Sequence, residues 1–461
     1  MFNATSIPCN SIADVMKKYL LFLYLNIGLQ SMLFAQSIDP ALSNKLQQVI
    51  DSMQINNSIE GISSCIIFPG SATWKGVSGD SHPGTPINSD MEFGLGSNTK
   101  LFTGVLMLKL AEQQLIQLDD SLHQYLPTFN NINSTITIRQ LLNHTSGLQD
   151  VIDVPGYIDS ILLNPNRVFT ASELISWIGP PLYAAGSGWN YSNTNYLLAG
   201  MIAENVTGQS YAQLLHDYIL SPLQLDSTFL GFYDTIPNQI AHPWQGNANN
   251  FSVSRISLNS AAWAAGAMYS TAGEMAHWYD VLMNGNFLND TSFTDMTAFV
   301  GTANYGIGIS QYVSYGRTVW RHAGSIWGGY NSEMMYDTAS GIVICVLTNQ
   351  LPGNGFQVAE QLLHTIFAHL LPTDDRSIEF PFVVYPNPSN EMIALNVSNE
   401  LKNKVAGIQI KNSNGMVVFS NNHFNFDTHI NATDWGSAGV YLVELIDEQH
   451  QVITMSKFIL N

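Results

Sequence analysis

The 461-residue chain is poor in charged residues, above all in basic ones. Charged side chains make up 11% of the sequence and hydrophobic ones 46%, a balance that is typical of folded proteins and argues against disorder. The 16 Lys and Arg stand against 35 Asp and Glu, which gives a formal charge of −19. Because a surface of this sign repels a phosphate backbone, nucleic acid is not expected as a partner.

Cysteine is scarce and shows neither the spacing of a metal site nor a disulfide framework. Cys9 lies in or before an N-terminal leader, which leaves Cys65 and Cys345. Both lie in apolar segments, ISSCIIF and GIVICVLTN, that have the character of buried strands. Two buried free thiols are expected, and one bridge between neighbouring strands is the alternative that stays open.

Two common catalytic motifs are missing as well. No Gly-x-Ser-x-Gly occurs, so the nucleophile elbow of α/β-hydrolases is unsupported. The 12 histidines form no HExxH or comparable pattern, so neither a metal nor another cofactor is expected. Neither of these two catalytic arrangements is therefore supported by the sequence.

The N-terminal segment predicts export. Met16-Lys-Lys is followed by YLLFLYLNIGLQSMLFAQ, an apolar core with a small-residue cleavage site near residues 35–36. We interpret residues 1–36 as a secretory signal peptide, with Met16 as the expected true start, because the residues before it carry almost no charge. Polar residues interrupt the apolar run, so a transmembrane anchor is the weaker alternative and none is expected in the mature protein.

Strand-like segments occur near both ends of the region 37–371, with helical segments between them. Residues 61–79 predict a hairpin that turns at Pro69-Gly70, and residues 319–347 predict a β-meander. Helical stretches between about 138 and 283 predict a mostly helical insertion. The expected fold is α+β, with one antiparallel sheet built from both ends of the domain and flanked by helices.

The composition changes after residue 371. Residues 372–382 are polar and contain a proline near each end, which predicts a linker. Residues 383–461 form short alternating segments, which predict a small all-β, sandwich-like domain near the lower size limit for independent folding. The expected order is therefore leader, main domain 37–371, linker and C-terminal β-domain.

Ser97 and Lys100 form the first candidate catalytic pair. The apolar, helix-forming segment after Ser97 places this serine at or next to a helix start, where free N–H groups favour negative charge. Residues three apart share a helix face with Cβ atoms about 5–6 Å apart, which brings the Lys100 amine to the Ser97 hydroxyl. Burial disfavours the ammonium form of such a lysine. The structural alternative is that Ser97 only caps the helix.

Two later stretches supply further candidates. Tyr191 and Asn193 lie in a loop just before a helix, and a tyrosine beside an ammonium is expected to ionise below its reference pKa of about 10. His322 and Gly324 lie at the end of a strand-like segment, where glycine allows close approach to the backbone. The structural alternatives are a loop aromatic for Tyr191, an N-cap for Asn193 and a packing role for His322.

Together, Ser97-Asn-Thr-Lys100, Tyr191-Ser-Asn193 and His322-Ala-Gly324 resemble the serine β-lactamase and D,D-peptidase-like hydrolases, a penicillin-recognising family of the peptidase S12 type. Further stretches are similar to the same family: LLNHTSGL at 141–148, GAMYSTA at 266–272, YGIG at 305–308 and GGY at 328–330. The resemblance covers about residues 38–371.

The resemblance implies a secreted serine hydrolase that works through an acyl-enzyme. Ser97 would attack a carbonyl, with Lys100 and Tyr191 handling its proton, and which of the two is the base stays open. The backbone N–H groups of Ser97 and Ser325 would hold the oxyanion. Asn193 would hydrogen-bond to Lys100 or to the substrate amide. His322 and Gly324 would form the far wall of the substrate site.

The third motif departs from the family pattern, in which Lys-Thr-Gly is common. His322-Ala323-Gly324 lacks the hydroxyl, and an unperturbed imidazole is mostly neutral at pH 7. We therefore expect an esterase, an amidase or a D-peptide hydrolase. The alternatives are a true β-lactamase or D,D-carboxypeptidase and, from another class, a catalytically silent binding protein at the cell surface on the same fold.

Four segments of the C-terminal region carry a second resemblance: 384–390, 408–415, 439–444 and 457–460. Together they resemble the type A sorting domain of the type IX (Por) secretion system of Bacteroidetes. It implies the type IX machinery as a partner and a secreted or cell-surface location. The alternative is a carbohydrate-binding or adhesive sandwich, against which the lack of an aromatic platform beyond Trp435 and Tyr441 argues.

Overall fold

The computed structural model describes residues 38–370 except 71 and 237, and then 382–385, 392–397, 399–402, 404–412, 416–422, 430–432, 435, 439–449 and 452–460. The chain divides into two compact units after His369. The proposed leader 1–36 and residues 372–381 of the proposed linker lie outside the described residues. Among the residues described, none of the helices has both the length and the apolar character needed to cross a bilayer.

The first unit begins with a helix, continues with a hairpin and ends with a meander and a helix. Its helices are α1 (Pro40–Asn56), α2 (Thr99–Glu112), α3 (Ile138–Leu142), α4 (Tyr157–Leu162), α5 (Ala171–Ile175), α6 (Asn193–Thr207), α7 (Tyr211–Leu215), α8 (Ile256–Gly266), α9 (Ala272–Asn284), α10 (Asp290–Met296) and α11 (Gly355–Leu370). Its strands are β1 (Gly61–Ile67), β2 (Thr73–His82), β3 (Thr85–Pro86), β4 (Phe93–Gly94), β5 (Phe229–Leu230), β6 (Trp244–Gln245), β7 (Ala248–Asn249), β8 (Met268–Ser270), β9 (Ser310–Ser314), β10 (Arg317–Ile326), β11 (Tyr330–Asp337), β12 (Val343–Thr348) and β13 (Gln350–Leu351).

A seven-stranded antiparallel sheet with the order β3-β2-β1-β12-β11-β10-β9 carries this unit. The N-terminal and C-terminal parts of this unit meet where β1 pairs with β12, with Ile62 opposite Thr348 and Ile67 opposite Val343. The predicted hairpin, meander and single sheet built from both ends are therefore confirmed. The predicted helical insertion is also present, but α4, α8, α10 and the edge strand β9 were not predicted.

Side chains that alternate across β1 and β12 enter two separate cores. Ile66 and Ile344 pack with α1 and α11 on one face of the sheet. Cys65 and Cys345 point to the other face, where the larger core contains α2, α6 and α9. Both central strands are thus buried on both sides, which explains their continuous apolar sequences.

Cys65 and Cys345 lie directly opposite each other on β1 and β12. Both side chains are buried, and both thiols are free. The prediction of two buried free thiols on neighbouring strands is confirmed, and the alternative bridge is not formed.

The second unit is built mostly of β-strands. Its elements are β14 (Phe382–Tyr385), β15 (Met392–Val397), α12 (Asn399–Lys402), β16 (Gly407–Asn412), β17 (Val417–Asn421), β18 (Ile430–Asn431), β19 (Gly439–Ile446) and β20 (Val452–Leu460). The sheets β14-β15-β18 and β17-β16-β19-β20 share one core, in which Ile393 and Leu395 cluster with Ile408 and Val443. This agrees with the predicted sandwich, to which the short helix α12 is an addition.

Candidate active site

Ser97 lies in a tight backbone turn between β4 and α2. The 3₁₀ turn Gly96–Asn98 leads directly into α2, so the predicted position of Ser97 next to a helix start is confirmed. Gly96 has φ of 53°, and a Cβ atom at this position would lie 2.7 Å from backbone atoms of Ser325 on β10. Because glycine lacks that atom and tolerates this conformation, the turn packs against the end of β10.

Lys100 is completely buried, and its amine contacts three different elements. Its Nζ atom lies 3.1 Å from Ser97 Oγ. It also donates to Asn193 Oδ1 on α6 at 2.6 Å and to the Ala265 carbonyl on α8 at 2.7 Å. Burial lowers the pKa of Lys100 to about 7, although the negative charge of Asp150 acts in the opposite direction. This amine is therefore able to accept the proton of the Ser97 hydroxyl near neutral pH.

Asp150 fixes the orientation of the Asn193 amide. Asn193 Nδ2 lies 2.9 Å and 3.2 Å from the two carboxylate oxygens of Asp150, so its Oδ1 atom must face Lys100. Asp150 is buried, and burial raises the pKa of its carboxyl group, whereas the charge of Lys100 lowers it. Asp150 was not among the predicted site residues, because the sequence does not distinguish a buried acidic residue from one at the surface.

Tyr191 places its hydroxyl beside that of Ser97. The phenol hydrogen-bonds to Ser97, and Lys100 Nζ lies 4.9 Å from the centre of the ring. Burial raises the pKa of Tyr191 well above its ordinary value, and the hydrogen bond to Ser97 only partly opposes this shift. The expectation that Tyr191 lies closer to ionisation is therefore wrong, because the loss of water on burial disfavours the phenolate and the negative charge of Asp150 acts in the same direction.

His322 is a neutral residue behind the candidate catalytic groups. Its Nδ1 atom lies 2.7 Å from the Ala323 carbonyl, which can only accept, so Nδ1 carries the proton. Its Nε2 atom therefore accepts from the Tyr305 hydroxyl at 2.8 Å. Burial lowers the pKa of His322 to about 3, and the neighbouring Lys100 acts in the same direction. His322 consequently supplies no cation at neutral pH.

His144 supports Tyr191 from within the segment 141–148. The Ser192 N–H donates to His144 Nδ1 at 3.2 Å, which puts the imidazole proton on Nε2. The ring is fully buried and lies 4.3 Å from that of Tyr191, centre to centre. Burial holds the pKa of His144 well below its ordinary value. This histidine is therefore a neutral packing group that limits the movement of the Tyr191 ring.

Gly324 lets β10 reach the backbone of the serine turn. A Cβ atom at Gly324 would lie 1.9 Å from the Leu95 carbonyl and 3.0 Å from the Ser97 nitrogen. Ser332 strengthens the same junction, because its hydroxyl donates to the Leu95 carbonyl at 2.6 Å and accepts from Asn98 at 2.8 Å. The backbones that carry the predicted oxyanion donors are thereby held side by side.

A pocket of about 310 Å³ opens over these groups. Ser97, Tyr191, Asn193 and Ser325 supply its polar atoms. The rest of its lining is mainly apolar and consists of Ile152, Tyr157, Ile158, Ile161, Leu258, Ala261, Ala262, Ala265, Gly266, Ile326 and Trp327. Five predicted site residues thus lie together at this pocket: Ser97, Lys100, Tyr191, Asn193 and Ser325. His322 and Gly324 lie behind the pocket wall and do not line it.

An irregular backbone in α8 supplies a contact that sequence reasoning missed. Trp263 has φ of 34° and ψ of −121° inside this helix. Immediately after it, the Ala264 carbonyl accepts from Thr103 Oγ1 at 2.6 Å and the Ala265 carbonyl accepts from Lys100. The irregular turn therefore directs backbone oxygens to α2, including one that holds the Lys100 amine. Residue types do not reveal such a contact, since every residue carries a carbonyl.

Comparison with family models gives two matches. Residues 46–366 match the Beta-lactamase model. Residues 383–461 match the model of the Secretion system C-terminal sorting domain. The second match indicates a secreted or cell-surface location through the type IX system and makes that machinery a partner of the chain.

One curated relative is Protein flp of Staphylococcus aureus (strain MW2), which is 34% identical over 200 residues. The match covers 42% of this chain and 39% of the relative, so the chain spans less than two thirds of that protein. Its activity does not transfer to this chain through that match.

The matches to two solved structures span nearly the whole length of the solved chains. A D-stereospecific amidohydrolase from Streptomyces sp. is 28% identical, with a TM-score of 0.60, and the match covers 72% of this chain and 99% of that one. The D-amino acid amidase from Ochrobactrum anthropi SV3, solved with D-phenylalanine, is 25% identical, with a TM-score of 0.63 and coverage of 71% and 99%. Because the Beta-lactamase model spans most of the chain and the fold agrees with these structures, this chain belongs to the beta-lactamase family of serine hydrolases.

Proposed function

We propose that this protein is a secreted hydrolase in which Ser97 forms an acyl-enzyme with an ester, an amide or a D-amino-acid peptide. The observation that carries the proposal is the 3.1 Å contact between Lys100 Nζ and Ser97 Oγ at the base of the pocket. With a pKa of about 7, much of the buried amine is neutral at physiological pH and accepts the serine proton as Ser97 attacks the carbonyl.

In this proposal Lys100 is the base and Tyr191 is a proton donor. The raised pKa of Tyr191 keeps the phenol protonated at neutral pH, and its hydrogen bond to Ser97 places the proton beside the reacting centre. Tyr191 donates this proton to the leaving group, and the Lys100 ammonium then returns a proton to the phenol. A water molecule hydrolyses the acyl-enzyme by the same steps in reverse.

The backbone N–H groups of Ser97 and Ser325 are the proposed oxyanion donors. Their support is the close packing of the serine turn against β10 through Gly96 and Gly324. Donors that are fixed before the reaction stabilise the developing charge without reorganisation, and losing one such donor typically costs about a hundredfold to a thousandfold in kcat.

The surroundings of the third motif favour an ester or amide over a β-lactam. His322 is neutral and buried, and Ala323 has no hydroxyl, so these two residues offer no cation or hydroxyl to a substrate carboxylate. The printed names of the two solved neighbours, an amidohydrolase and an amidase for D-amino acids, support amides of D-amino acids as candidate substrates.

The test compares three types of substrate with one preparation of the protein. These are a p-nitrophenyl ester, two D-amino-acid substrates (D-phenylalanine amide and a D-Ala-D-Ala peptide), and the β-lactam nitrocefin. We expect turnover of the ester or the D-amide and little of nitrocefin. Ser97→Ala should lower kcat/KM by about a thousandfold or more, as loss of a serine nucleophile does. Ser89, which is half-buried and lies outside the pocket lining, gives the matched control, since Ser89→Ala should leave the rate unchanged.

Turnover that survives Ser97→Ala would refute Ser97 as the nucleophile. Rapid nitrocefin hydrolysis would instead favour the β-lactamase alternative. A fluorophosphonate probe addresses the silent binding protein, because an adduct mapped to Ser97 requires an activated hydroxyl. Absence of both an adduct and turnover would favour the silent protein.

A further inference from the structure

A second cavity of about 270 Å³ adjoins the active-site pocket. The two share Ile161, Leu258 and Trp327, so a substrate bound at Ser97 can extend past these residues into the second space. Much of its lining is apolar, with Leu162 and Val253 as examples, and Arg255 is its charged member. No Asp or Glu is among the described residues that line it.

Arg255 is held in a fixed orientation with part of its guanidinium unused. Its Nε atom donates to the Tyr269 hydroxyl at 2.7 Å, and its Nη2 atom donates to the Trp327 carbonyl at 3.0 Å. The guanidinium also lies 5.2 Å from the ring centre of Tyr330. Its Nη1 atom has no hydrogen-bond partner within the described ranges and lies beside Gly328, where a Cβ atom would come within 2.6 Å of it.

Arg255 also stands apart in its charge environment. The other arginines in the described part of the chain form ion pairs: Arg139 with Asp119 and Asp295, Arg167 with Glu173, Arg317 with Asp337, and Arg321 with Glu333. Arg255 forms no ion pair with any described residue. In a chain with a net charge of −19, an unpaired cation at the wall of a substrate-sized cavity is a group available for an anionic ligand.

We propose that Arg255 binds the carboxylate of a substrate whose ester or amide carbonyl lies at Ser97 and whose apolar segment passes Trp327. This inference rests on the proposed function of Ser97 and adds a substrate class, carboxylate-bearing esters or amides. The apolar walls suit the segment between the two functional groups, and the planar guanidinium suits a carboxylate through parallel N–H bonds. The carboxylate belongs either to the acyl part or to the leaving group, and the assay separates the two.

The assay uses two matched pairs of esters. One pair is a p-nitrophenyl monoester of adipic acid and the same compound with its free carboxylate converted to a methyl ester. The other is the butyrate ester of 4-hydroxybenzoate and that of its methyl ester. We expect at least one pair to show about a tenfold higher kcat/KM for the carboxylate form, a preference that falls with added salt.

Arg255→Met should remove this preference, so that the carboxylate form of each ester is hydrolysed no faster than its neutral partner, whereas Arg255→Lys should keep part of it. Val253→Glu gives a second route that preserves Arg255 and its hydrogen bonds, because it places a competing carboxylate in the cavity. Arg167→Met is the matched control, since it removes an equal charge from an arginine that pairs with Glu173. It should leave the preference intact.

Binding to Ser97→Ala protein, measured by calorimetry, separates this inference from the proposed mechanism because it needs no turnover. In at least one of the two pairs, we expect the ester with the free carboxylate to bind about tenfold more tightly than its neutral partner. Adding Arg255→Met to the Ser97→Ala protein should abolish this difference. Equal binding within both pairs, or a preference that survives Arg255→Met, would overturn the subsite. Neither result would bear on Ser97 as the nucleophile.

Discussion

At the scale of single residues, the site depends on how one lysine is buried. The spacing of Ser97 and Lys100 was enough to predict their contact, because residues three apart share a helix face. Asn193 was also expected on Lys100, but two other groups that hold the amine were not predictable. Asp150 acts through Asn193, and the Ala265 contact is a backbone carbonyl, so neither is marked by a residue pattern.

The low pKa of Lys100 has a consequence for the pH dependence of hydrolysis. Below about pH 7 the amine is protonated and cannot accept the serine proton, so kcat/KM for a neutral ester should rise with pH along a limb with a pKa near 7. Burial lowers the pKa values of His144 and His322 far enough that these histidines do not titrate there. Rates measured from about pH 5 to about pH 9 test this prediction.

Asp150→Asn identifies the group that titrates. The negative charge of Asp150 raises the pKa of Lys100, so its removal should move the limb to lower pH, while the new amide oxygen still accepts from Asn193. Asp119→Asn is the control, because Asp119 pairs with Arg139 at the surface. A limb that stays in place in Asp150→Asn would assign the titration to another group.

At the scale of elements, regular segments were predictable and irregular ones were not. The apolar runs of β1 and β12 identified strands buried on both faces, and runs of helix-forming residues identified α2, α6 and α9. Helix α8, whose backbone is non-helical at Trp263, was missed. Strand β9 was missed because it is a short, largely polar edge strand.

The contact between the serine turn and β10 gives a prediction at this scale. In Gly324→Ala the added methyl would lie 1.9 Å from the Leu95 carbonyl, so β10 and the turn must separate. Because this displaces both proposed oxyanion donors, we expect kcat/KM to fall by about a hundredfold or more. We also expect unfolding in urea at lower concentration, as overpacking typically costs about 1–3 kcal/mol.

Gly273→Ala is the matched control for this change. Gly273 lies in the first turn of α9, and its added methyl would meet the end of the flexible Lys75 side chain at 3.1 Å. Alanine also favours helix over glycine, so stability should be equal or slightly higher and the rate unchanged. Wild-type activity in Gly324→Ala would contradict the role given to this junction.

At the scale of the whole molecule, export and hydrolysis belong to separate units. The sorting domain has a core of its own around Ile408 and Val443, while the residues of the candidate active site all lie in the first unit. The change of composition after residue 371 was sufficient to predict this division. The domain boundaries themselves, 1–36, 37–371, 372–382 and 383–461, stay a prediction.

This separation predicts that a chain ending at residue 371 keeps its hydrolytic activity. Its two large cores contain residues of the first unit alone, so we expect kcat/KM for esters within about twofold of that of the longer chain and one cooperative unfolding transition.

In a host with the type IX machinery, the shortened protein should stay inside the outer membrane, since it lacks the sorting domain. Activity in lysed cells is the control, because it should match that of the full chain. A shortened chain that is unfolded or inactive would mean that the first unit needs the second in order to fold.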